Sequence, residues 1–323
     1  MGSATLDFSE IERLRTWLGR WVLKTPVLDS PYLAERSGAK AVHAKLEFLQ
    51  RTGTFKPRGA LSVMSQLDQS QLERGITAVS AGNHAIAAAY AAAQMGSSAK
   101  VVMIPSANPY RVELCKRYGA EVLMAESVHQ AFELAEQIRE QEGRYFVHPF
   151  EGLHTIMGTA TLGMEIAEQV AGFDLVVVPI GGGGLCAGVS AAIKQVNPGC
   201  EVIGVEPVGA DSMLRSFRSG HPEKLESVNT VADSLGAPFA LPISFGFCYA
   251  NVDRIVTVTD EEMRRTMGML FVEQKIAVEP ACAASTAALL GPLAESARGR
   301  RVVVVMCGSN IDWRSFERLA LFD

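Results

Sequence analysis

Short runs of β-branched residues alternate along this chain with longer, alanine-rich stretches that have the composition and apolar spacing of helices. The runs are typical of buried strands, and the stretches between them are typical of crossover helices packed on a parallel sheet. The sequence predicts strands at Ala41–Leu46, Ile76–Val79, Lys100–Ile104, Glu121–Met124, Tyr145–Val147, Leu175–Pro179, Val202–Val205, Ile255–Val258 and Val302–Met306. The predicted fold class is α/β, doubly wound, with mostly parallel sheets.

The length of 323 residues exceeds that of most single domains and predicts about two. Apolar residues make up 48% of the chain and charged residues 20%, with a net charge of −5. This balance is typical of a globular protein and lacks the basic surface of proteins that bind nucleic acid or acidic membranes. We therefore expect a small-molecule substrate and no nucleic-acid or membrane partner.

The six cysteines are dispersed, with no CxxC pair and no metal-finger spacing. A chain of this size needs no disulfide staples, so reduced thiols in a cytoplasm are expected. The first residues carry acidic side chains and no apolar core segment, so a secretory signal is not expected. No apolar run is long enough to span a bilayer.

One lysine, Lys56, lies within GTFKPRGA, residues 53–60, between an aromatic residue and a proline. Pro57 is tolerated in the first turn of a helix, and the apolar spacing that follows predicts a helix start here. Phe55 and Pro57 offer a drier setting, in which an amine loses its proton more easily and can form a Schiff base with a carbonyl. The alternative is a solvated surface lysine, the commoner state of an isolated lysine.

Parallel sheets bind ligands outside the carboxyl ends of their strands, so motifs that directly follow a strand carry the most weight. SAGNHA, residues 80–85, follows one predicted strand and opens an alanine-rich helix. Its small residues permit close approach of a ligand, and the helix start offers N–H groups to an anion such as a carboxylate. An ordinary Ser or Asn helix cap is the alternative.

GGGGL, Gly181 to Leu185, follows another predicted strand and precedes a helix. Successive glycine amides can turn toward a phosphate. The loop also satisfies the dinucleotide pattern GxGxxA through Gly182, Gly184 and Ala187, and Glu206 ends the next strand where a ribose-binding acid is expected. Taken singly, the loop favours NAD, and close packing of the helix on the sheet is a further explanation.

CGSN, residues 307–310, follows the last predicted strand. The thiol of Cys307 could meet a ring nitrogen of a ligand. The alternative is a buried cysteine followed by a simple turn.

Together, these motifs and their order resemble the fold-type II pyridoxal phosphate enzymes, in particular the serine/threonine dehydratase and serine racemase family. The resemblance covers nearly the whole chain. It includes KLEFLQRTGTFKPRGA (45–60), SAGNHA, GGGGL, VEPVGA (205–210), VEPACAAS (278–285) and CGSN. GTFKPRG and SAGNH have no role in a dinucleotide site, so the resemblance favours pyridoxal phosphate over NAD.

By that resemblance, Lys56 would carry the cofactor covalently, with Phe55 beside the ring. Asn83 would bond the ring hydroxyl, Cys307 would face the ring nitrogen, and Glu279 would lie at the edge of the cofactor. The phosphate would be bound by Gly181, Gly182, Gly183, Gly184 and Leu185. The substrate carboxylate would be held by Ser80, Asn83 and His84.

The resemblance implies β-elimination from a 3-hydroxy amino acid, with Lys56 as the base and a 2-oxo acid and ammonia as products. Threonine and serine are the expected substrates. GTAT at 158–161 and Ile86 depart from the family pattern, so hydroxyaspartate or a hydroxyectoine-derived compound stays open. Racemases of the family have a second serine where this chain has Ala81. A methyl group cannot deliver a proton, so a lyase is expected rather than a serine racemase.

Some members of this family bind a divalent cation through the glutamate of the VEP segment, a nearby carbonyl and an aspartate two residues further on. Glu206 and the Ala210 carbonyl are present, but Ser212 stands at the aspartate position and Asp211 comes one residue early. Hard cations need several oxygen ligands, so a divalent cation is the weaker expectation. A cap of the following helix is the alternative role of Glu206.

The resemblance also implies a larger cofactor-binding domain, residues 1–71 and 149–323. A smaller mobile domain, residues 72–148, would close over the substrate. The catalytic fold accounts for the length of this chain, so we do not expect the C-terminal effector domain of biosynthetic threonine dehydratases. Inhibition by isoleucine is therefore not expected either. A homodimer is expected from the family alone.

Overall fold

Two sheets organise the chain, whose computed structural model describes residues 5–105 and 107–322. The predicted ends of the larger domain, residues 1–4 and 323, lie outside these ranges. The strands in the described ranges are β1 (Val27–Asp29), β2 (Ala41–Leu46), β3 (Ile76–Val79), β4 (Ala99–Met103), β5 (Glu121–Met124), β6 (Tyr145–Phe146), β7 (Leu175–Pro179), β8 (Glu201–Pro207), β9 (Arg254–Val258) and β10 (Arg301–Met306).

Helices connect and cover these strands. They are α1 (Phe8–Leu18), α2 (Pro31–Ser37), α3 (Lys56–Met64), α4 (Gln69–Arg74), α5 (Asn83–Gln94), α6 (Pro109–Arg117), α7 (Val128–Glu142), α8 (Leu153–Gln169), α9 (Gly184–Val196), α10 (Ser212–Ser219), α11 (Pro242–Asn251), α12 (Asp260–Gln274), α13 (Pro280–Leu290), α14 (Ala294–Ala297) and α15 (Trp313–Leu319). Side chains that accept hydrogen bonds from the first turn cap several of them: Asp7, Ser30, Asp68, Asn108, Ser127, Thr259 and Asp312. Of the helices in the described ranges, none is both long and apolar enough to cross a membrane.

The first sheet has six strands in the order β1-β2-β10-β7-β8-β9, and the second has four in the order β5-β4-β3-β6. Every neighbouring pair among these strands is parallel except β1 with β2, at one edge of the first sheet. Strands aligned in this way bring their carboxyl ends to one edge of a sheet, where α/β proteins bind ligands. The predicted α/β class with mostly parallel sheets is confirmed.

Each predicted strand is present, with bounds that differ by two residues or fewer. The sequence does not predict β1. Its three residues form an edge strand with half-buried and exposed positions, so no buried apolar run marks it.

Buried valines supply the core of the six-stranded sheet, and Val176, Val177 and Val303 have no exposed surface. On this sheet α9 packs against β7 and against α8. A Cβ at Gly188 of α9 would lie 2.1 Å from Thr159 Oγ1 of α8, so only glycine permits this approach. The close packing fixes the position of α9, which begins in the glycine loop.

Alanines make α5 apolar on all sides, and Ala85, Ala87, Ala88 and Ala89 are fully buried. The helix packs against α3, β3 and β4 in the core beside the four-stranded sheet. A helix that is apolar all round is held by neighbours on every side. The start of α5, which carries the SAGNHA motif, is therefore fixed in place.

Candidate active site

A cleft of about 220 Å³ lies at the carboxyl ends of β3 and β7. The residues that follow β3 form one wall, and Gly182 after β7 forms part of another. The predicted catalytic residues Lys56, Ser80 and His84 all line this cleft. Its location is the one at which parallel α/β sheets bind ligands.

An adjoining cavity brings together all of the residues that the sequence predicts to contact the cofactor. Its lining includes Phe55, Lys56, Asn83, Gly181, Gly182, Gly183, Gly184, Leu185, Glu279 and Cys307. These residues come from five separate segments of the chain. The cavity is continuous in its lining with the larger cleft, because Lys56, Asn83 and Gly182 line both.

Lys56 is the first residue of α3, as the sequence predicts, and is only partly exposed. Its Nζ donates to the Pro149 carbonyl at 2.7 Å and lies 5.2 Å from the centre of the Phe55 ring. Burial lowers the pKa of Lys56 from 10.5 to about 8, although Cys307 and Glu279 act in the opposite direction. This change raises the fraction of neutral amine at pH 7 roughly 300-fold. The amine is therefore prepared to attack a carbonyl.

The glycine loop joins β7 to α9, and its close contacts explain why it needs glycine. A Cβ at Gly182 would lie 2.2 Å from ring atoms of Phe150, and Gly183 has a φ of 94°, which side chains rarely adopt. No side chain caps the start of α9. The first N–H groups of a helix have no intrahelical partner and favour an anion, so this start suits a phosphate.

The SAGNHA motif forms a tight turn between β3 and α5. The Gly82 N–H donates to Ser80 Oγ at 3.1 Å, and α5 then begins at Asn83 without a side-chain cap. Asn83 Nδ2 donates to Glu279 Oε1 at 2.7 Å, while its Oδ1 accepts from Asn310 Nδ2 at 2.9 Å. Both ends of the Asn83 amide are thus held, and the uncapped helix start faces the cleft.

His84 lines the cleft, but its imidazole is already engaged. Its Nε2 donates to the Val147 carbonyl at 2.7 Å, and the residue is buried. Burial, together with Lys56, lowers the pKa of His84 to about 3. A neutral ring with its Nε2 occupied leaves the backbone N–H at the helix start as the group that His84 can offer to an anion.

Cys307 follows β10 and is buried beside Cys282. The hydrogen bond with Cys282 and burial raise the pKa of the Cys307 thiol well above its ordinary range. The Cys307 carbonyl accepts from the Phe55 N–H at 3.2 Å, which ties this segment to the start of α3. The cavity thus presents a neutral thiol near Lys56.

Glu206 caps α10, which is the alternative role that its sequence position allows. Its two carboxylate oxygens accept from the Met213 and Leu214 N–H groups at 2.9 and 2.8 Å, at the start of α10. Burial raises the pKa of Glu206 to about 8. Because both oxygens of Glu206 accept these hydrogen bonds, the side chain is turned to α10 and not to a ribose. In the part of the chain that the structure describes, no group of three or more His, Cys, Asp or Glu residues is arranged to hold a metal.

Two residues of the cleft lining, Phe150 and Arg111, are absent from the sequence prediction. Asp233, Ser234, Gly236 and Ala237 also line the cleft, and they belong to NTVADSLGAP, residues 229–238, a stretch that the sequence predicts to line or cover the pocket. Phe150 could have been found from the sequence, because it comes shortly after the carboxyl end of β6, where ligand-binding residues are expected. Ile86 and residues 158–161 depart from the family pattern. Ile86 is buried in the core beside the four-stranded sheet. Within 158–161, only Thr159 lines a cavity next to Lys56.

This set of groups fits a cofactor that carries an aldehyde and an anion. Lys56 provides a partly neutral amine, the start of α9 provides an uncapped anion site, and Phe55 lies at the cavity wall between them. Glycines in the loop let its backbone pack against Phe150 and line the cavity directly. Pyridoxal phosphate has the required chemistry.

Comparison with known proteins identifies relatives along nearly the whole chain. Residues 20–308 match the family described as "Pyridoxal-phosphate dependent enzyme". Phenylserine dehydratase of Ralstonia pickettii is 53% identical over 97% of this chain and 95% of that protein. L-threonine ammonia-lyase of Thermotoga maritima is 36% identical over 97% of this chain and 78% of that protein. The structure of maize serine racemase has a TM-score of 0.93 and 32% identity, and the match covers 98% of this chain and 96% of that one.

Proposed function

This chain belongs to the pyridoxal-phosphate dependent enzymes of fold type II, and we propose that it removes water and ammonia from a 3-hydroxy amino acid. The amino acid loses its α-proton and its β-hydroxyl as water, the released enamine takes up a proton at the β-carbon to become an imine, and water then displaces ammonia to give a 2-oxo acid. The observation that carries the proposal is the position of the Lys56 amine, which lines one cavity together with the glycine loop. The relatives named as dehydratase and ammonia-lyase support the same reaction class.

Each residue has a proposed role in that reaction. Bound pyridoxal phosphate supplies an electron sink for the electron pair left at the α-carbon. Lys56 holds the cofactor and then takes the α-proton as a base. The start of α5, with Ser80, Asn83 and the His84 N–H, binds the substrate carboxylate. The glycine loop with Leu185 would hold the phosphate, and Phe55 would contact the ring.

Two residues, Cys307 and Ala81, support elimination over racemisation as the proposed reaction. Cys307 would offer a bound cofactor a neutral thiol, which would stabilise a protonated ring less than a carboxylate and so would favour prompt loss of the β-hydroxyl. Ala81 lines the cleft and cannot return a proton to the opposite face of the substrate. Chiral analysis of serine should therefore detect negligible epimerisation, and epimerisation faster than pyruvate release would contradict a lyase.

The substrate is best supported as a 3-hydroxy amino acid with an aromatic group on the β-carbon. Val79, Ala81, Phe150 and Ala237 give the cleft apolar wall atoms, and the relative from Ralstonia pickettii is named for phenylserine. Threonine and serine form the second candidate class, which the threonine ammonia-lyase relative supports.

A panel of 3-hydroxy amino acids, scored for 2-oxo acid and ammonia, tests this proposal. We expect kcat/KM for phenylserine to exceed that for threonine by about tenfold or more, because burial of an aromatic side chain contributes about 1.5–3 kcal/mol. Phe150→Leu should lower this preference. The matched substitution Phe132→Leu, at a position 38% exposed, should leave it unchanged. Release of 2-oxo acid from no member of the panel would contradict the proposed reaction.

We also propose the organisation that the family resemblance implies: a mobile domain at 72–148, a homodimer and a cytoplasmic location. The four-stranded sheet lies wholly within 72–148. An exposed aromatic patch of Phe271, Trp313 and Phe322 supports a dimer, and the free, buried cysteines support a reducing compartment. Sedimentation velocity that gives only a monomer would contradict the dimer.

A further inference from the structure

Arg111 is a buried cation in the wall of the cleft that the proposed reaction does not use. It lies in α6, beside the four-stranded sheet, and is 5% exposed. A Cβ at Gly82 would lie 3.0 Å from its Nη1, so the guanidinium lies against the SAGNHA turn. Buried arginines need partners that compensate their charge and satisfy their N–H groups.

The partners of Arg111 come from three segments beside the six-stranded sheet. Its Nε donates to the Asn310 carbonyl at 3.0 Å, its Nη1 to the Asp233 carboxylate, and its Nη2 to Glu279 Oε2 at 3.4 Å. Asn310 follows β10, Glu279 directly precedes α13, and Asp233 lies between α10 and α11. One side chain therefore connects a helix of the four-stranded side to three separate points across the cleft.

Two of these partners also hold the amide of Asn83. Glu279 Oε1 accepts from Asn83 Nδ2, and Asn310 Nδ2 donates to Asn83 Oδ1. Burial raises the pKa of Glu279, and Arg111 opposes this change, which favours the charged carboxylate as acceptor for Asn83. The orientation of Asn83 in the cofactor cavity thus depends on groups that Arg111 fixes.

The contacts of Arg111 form two arms with different surroundings. The Asp233 side chain is 61% exposed, at the rim of the cleft, whereas the Glu279 side chain is 1% exposed, inside the cofactor cavity. The first arm joins the two walls at the rim, and the second joins them inside the cavity and also carries the contact to the Asn83 amide. Separate substitutions can therefore test each arm.

We propose that Arg111 is a positioning residue that joins the two walls of the cleft through Asp233 and orients Asn83 beside the cofactor through Glu279 and Asn310. The proposal deepens the proposed function, on which it rests for the identity of the site. Loss of Arg111 opens the cleft and frees the Asn83 amide at the same time. Loss of the Asp233 arm acts mainly on the link between the walls, and loss of the Glu279 arm acts mainly on the orientation of Asn83.

Two measurements on the holoenzyme without substrate separate the effects. The rate at which hydroxylamine captures the cofactor aldehyde as an oxime, releasing the Lys56 amine, reports access to the cleft. Visible circular dichroism per bound cofactor reports how the cofactor is held. Arg111→Met should speed capture by about tenfold or more and reduce the circular dichroism by at least about half, because it removes charged hydrogen bonds. Arg117→Met, at an exposed position of the same helix, is the matched control and should change neither.

The single-arm variants make the test independent of how well Arg111→Met folds. Asp233→Asn should speed capture with the smaller loss of circular dichroism, whereas Glu279→Gln should give the larger loss of circular dichroism. Unchanged capture in Asp233→Asn, or unchanged circular dichroism in Glu279→Gln, would overturn the corresponding half of the proposal. Neither readout uses an amino acid, so inactivity on every 3-hydroxy amino acid would refute the proposed function without affecting this test.

Discussion

Replacement of Lys56 by alanine is expected to reduce 2-oxo acid release by at least about 10³-fold. The substitution removes both the amine that holds the cofactor and the base nearest to the α-proton. His84 does not replace it, because its buried ring already donates through Nε2 to the Val147 carbonyl. Steady-state assays of 2-oxo acid with saturating cofactor measure the effect.

Lys116→Ala is the matched control for this substitution, because Lys116 is an exposed lysine of α6. It should retain wild-type activity. A small primary amine added to Lys56→Ala should restore part of the rate if the lost group is the amine. Activity of Lys56→Ala within about tenfold of the wild type would refute the role of Lys56 as base.

Arg58→Met is expected to lower the free energy of unfolding by about 3–5 kcal/mol. Arg58 is fully buried and donates to Glu47 and Glu165 through four contacts of 2.8–2.9 Å. Lys45 Nζ donates to Glu165 at 2.8 Å, so two cations and two carboxylates compensate one another. Removal of Arg58 leaves buried carboxylates with one cation between them. Urea denaturation at pH 7 measures the loss.

The pH dependence of this loss has a defined sign. Although burial opposes it, Arg58 holds the pKa of Glu47 below its ordinary value of 4.5, so the wild type loses this stabilisation only as the pH falls below that value. Without Arg58, burial raises the pKa of Glu47, and the variant takes up a proton at higher pH. The difference in unfolding free energy should therefore shrink as the pH falls from 7 toward 5.

Arg139→Met is the control for Arg58→Met, because Arg139 pairs with Glu136 on α7 with both side chains about half exposed. An exposed pair contributes about 1 kcal/mol or less. A loss for Arg58→Met no larger than that for Arg139→Met would contradict the account of the buried network.

The fold follows largely from local sequence patterns. Strands such as β7 and β10 are buried on both faces and appear as continuous apolar runs, so their positions are predictable. The edge strand β1 has no such run. Thr52 is also unpredictable, since its φ of 67° is rare for a β-branched residue, and its carbonyl accepts from Asn310 Nδ2 in the folded chain.

The site divides in the same way between local and long-range features. Lys56 and the glycine loop are found from short motifs, because their chemistry depends on adjacent residues. Arg111 acts through Asn310, 199 positions away, and no local pattern encodes that contact. Glu206 shows a second limit: the same residue type suits a metal, a ribose or a helix cap, and only the positions of the Met213 and Leu214 N–H groups distinguish them.

Borohydride reduction of the cofactor-loaded protein, followed by peptide mapping by mass spectrometry, tests the central claim most directly. We expect the yellow colour of the bound cofactor to be lost. The cofactor should become fixed to the peptide containing Lys56, in a ratio near one per chain. Fixation to another lysine, or no covalent addition to a fully loaded protein, would contradict the assignment of Lys56 as the residue that holds the cofactor.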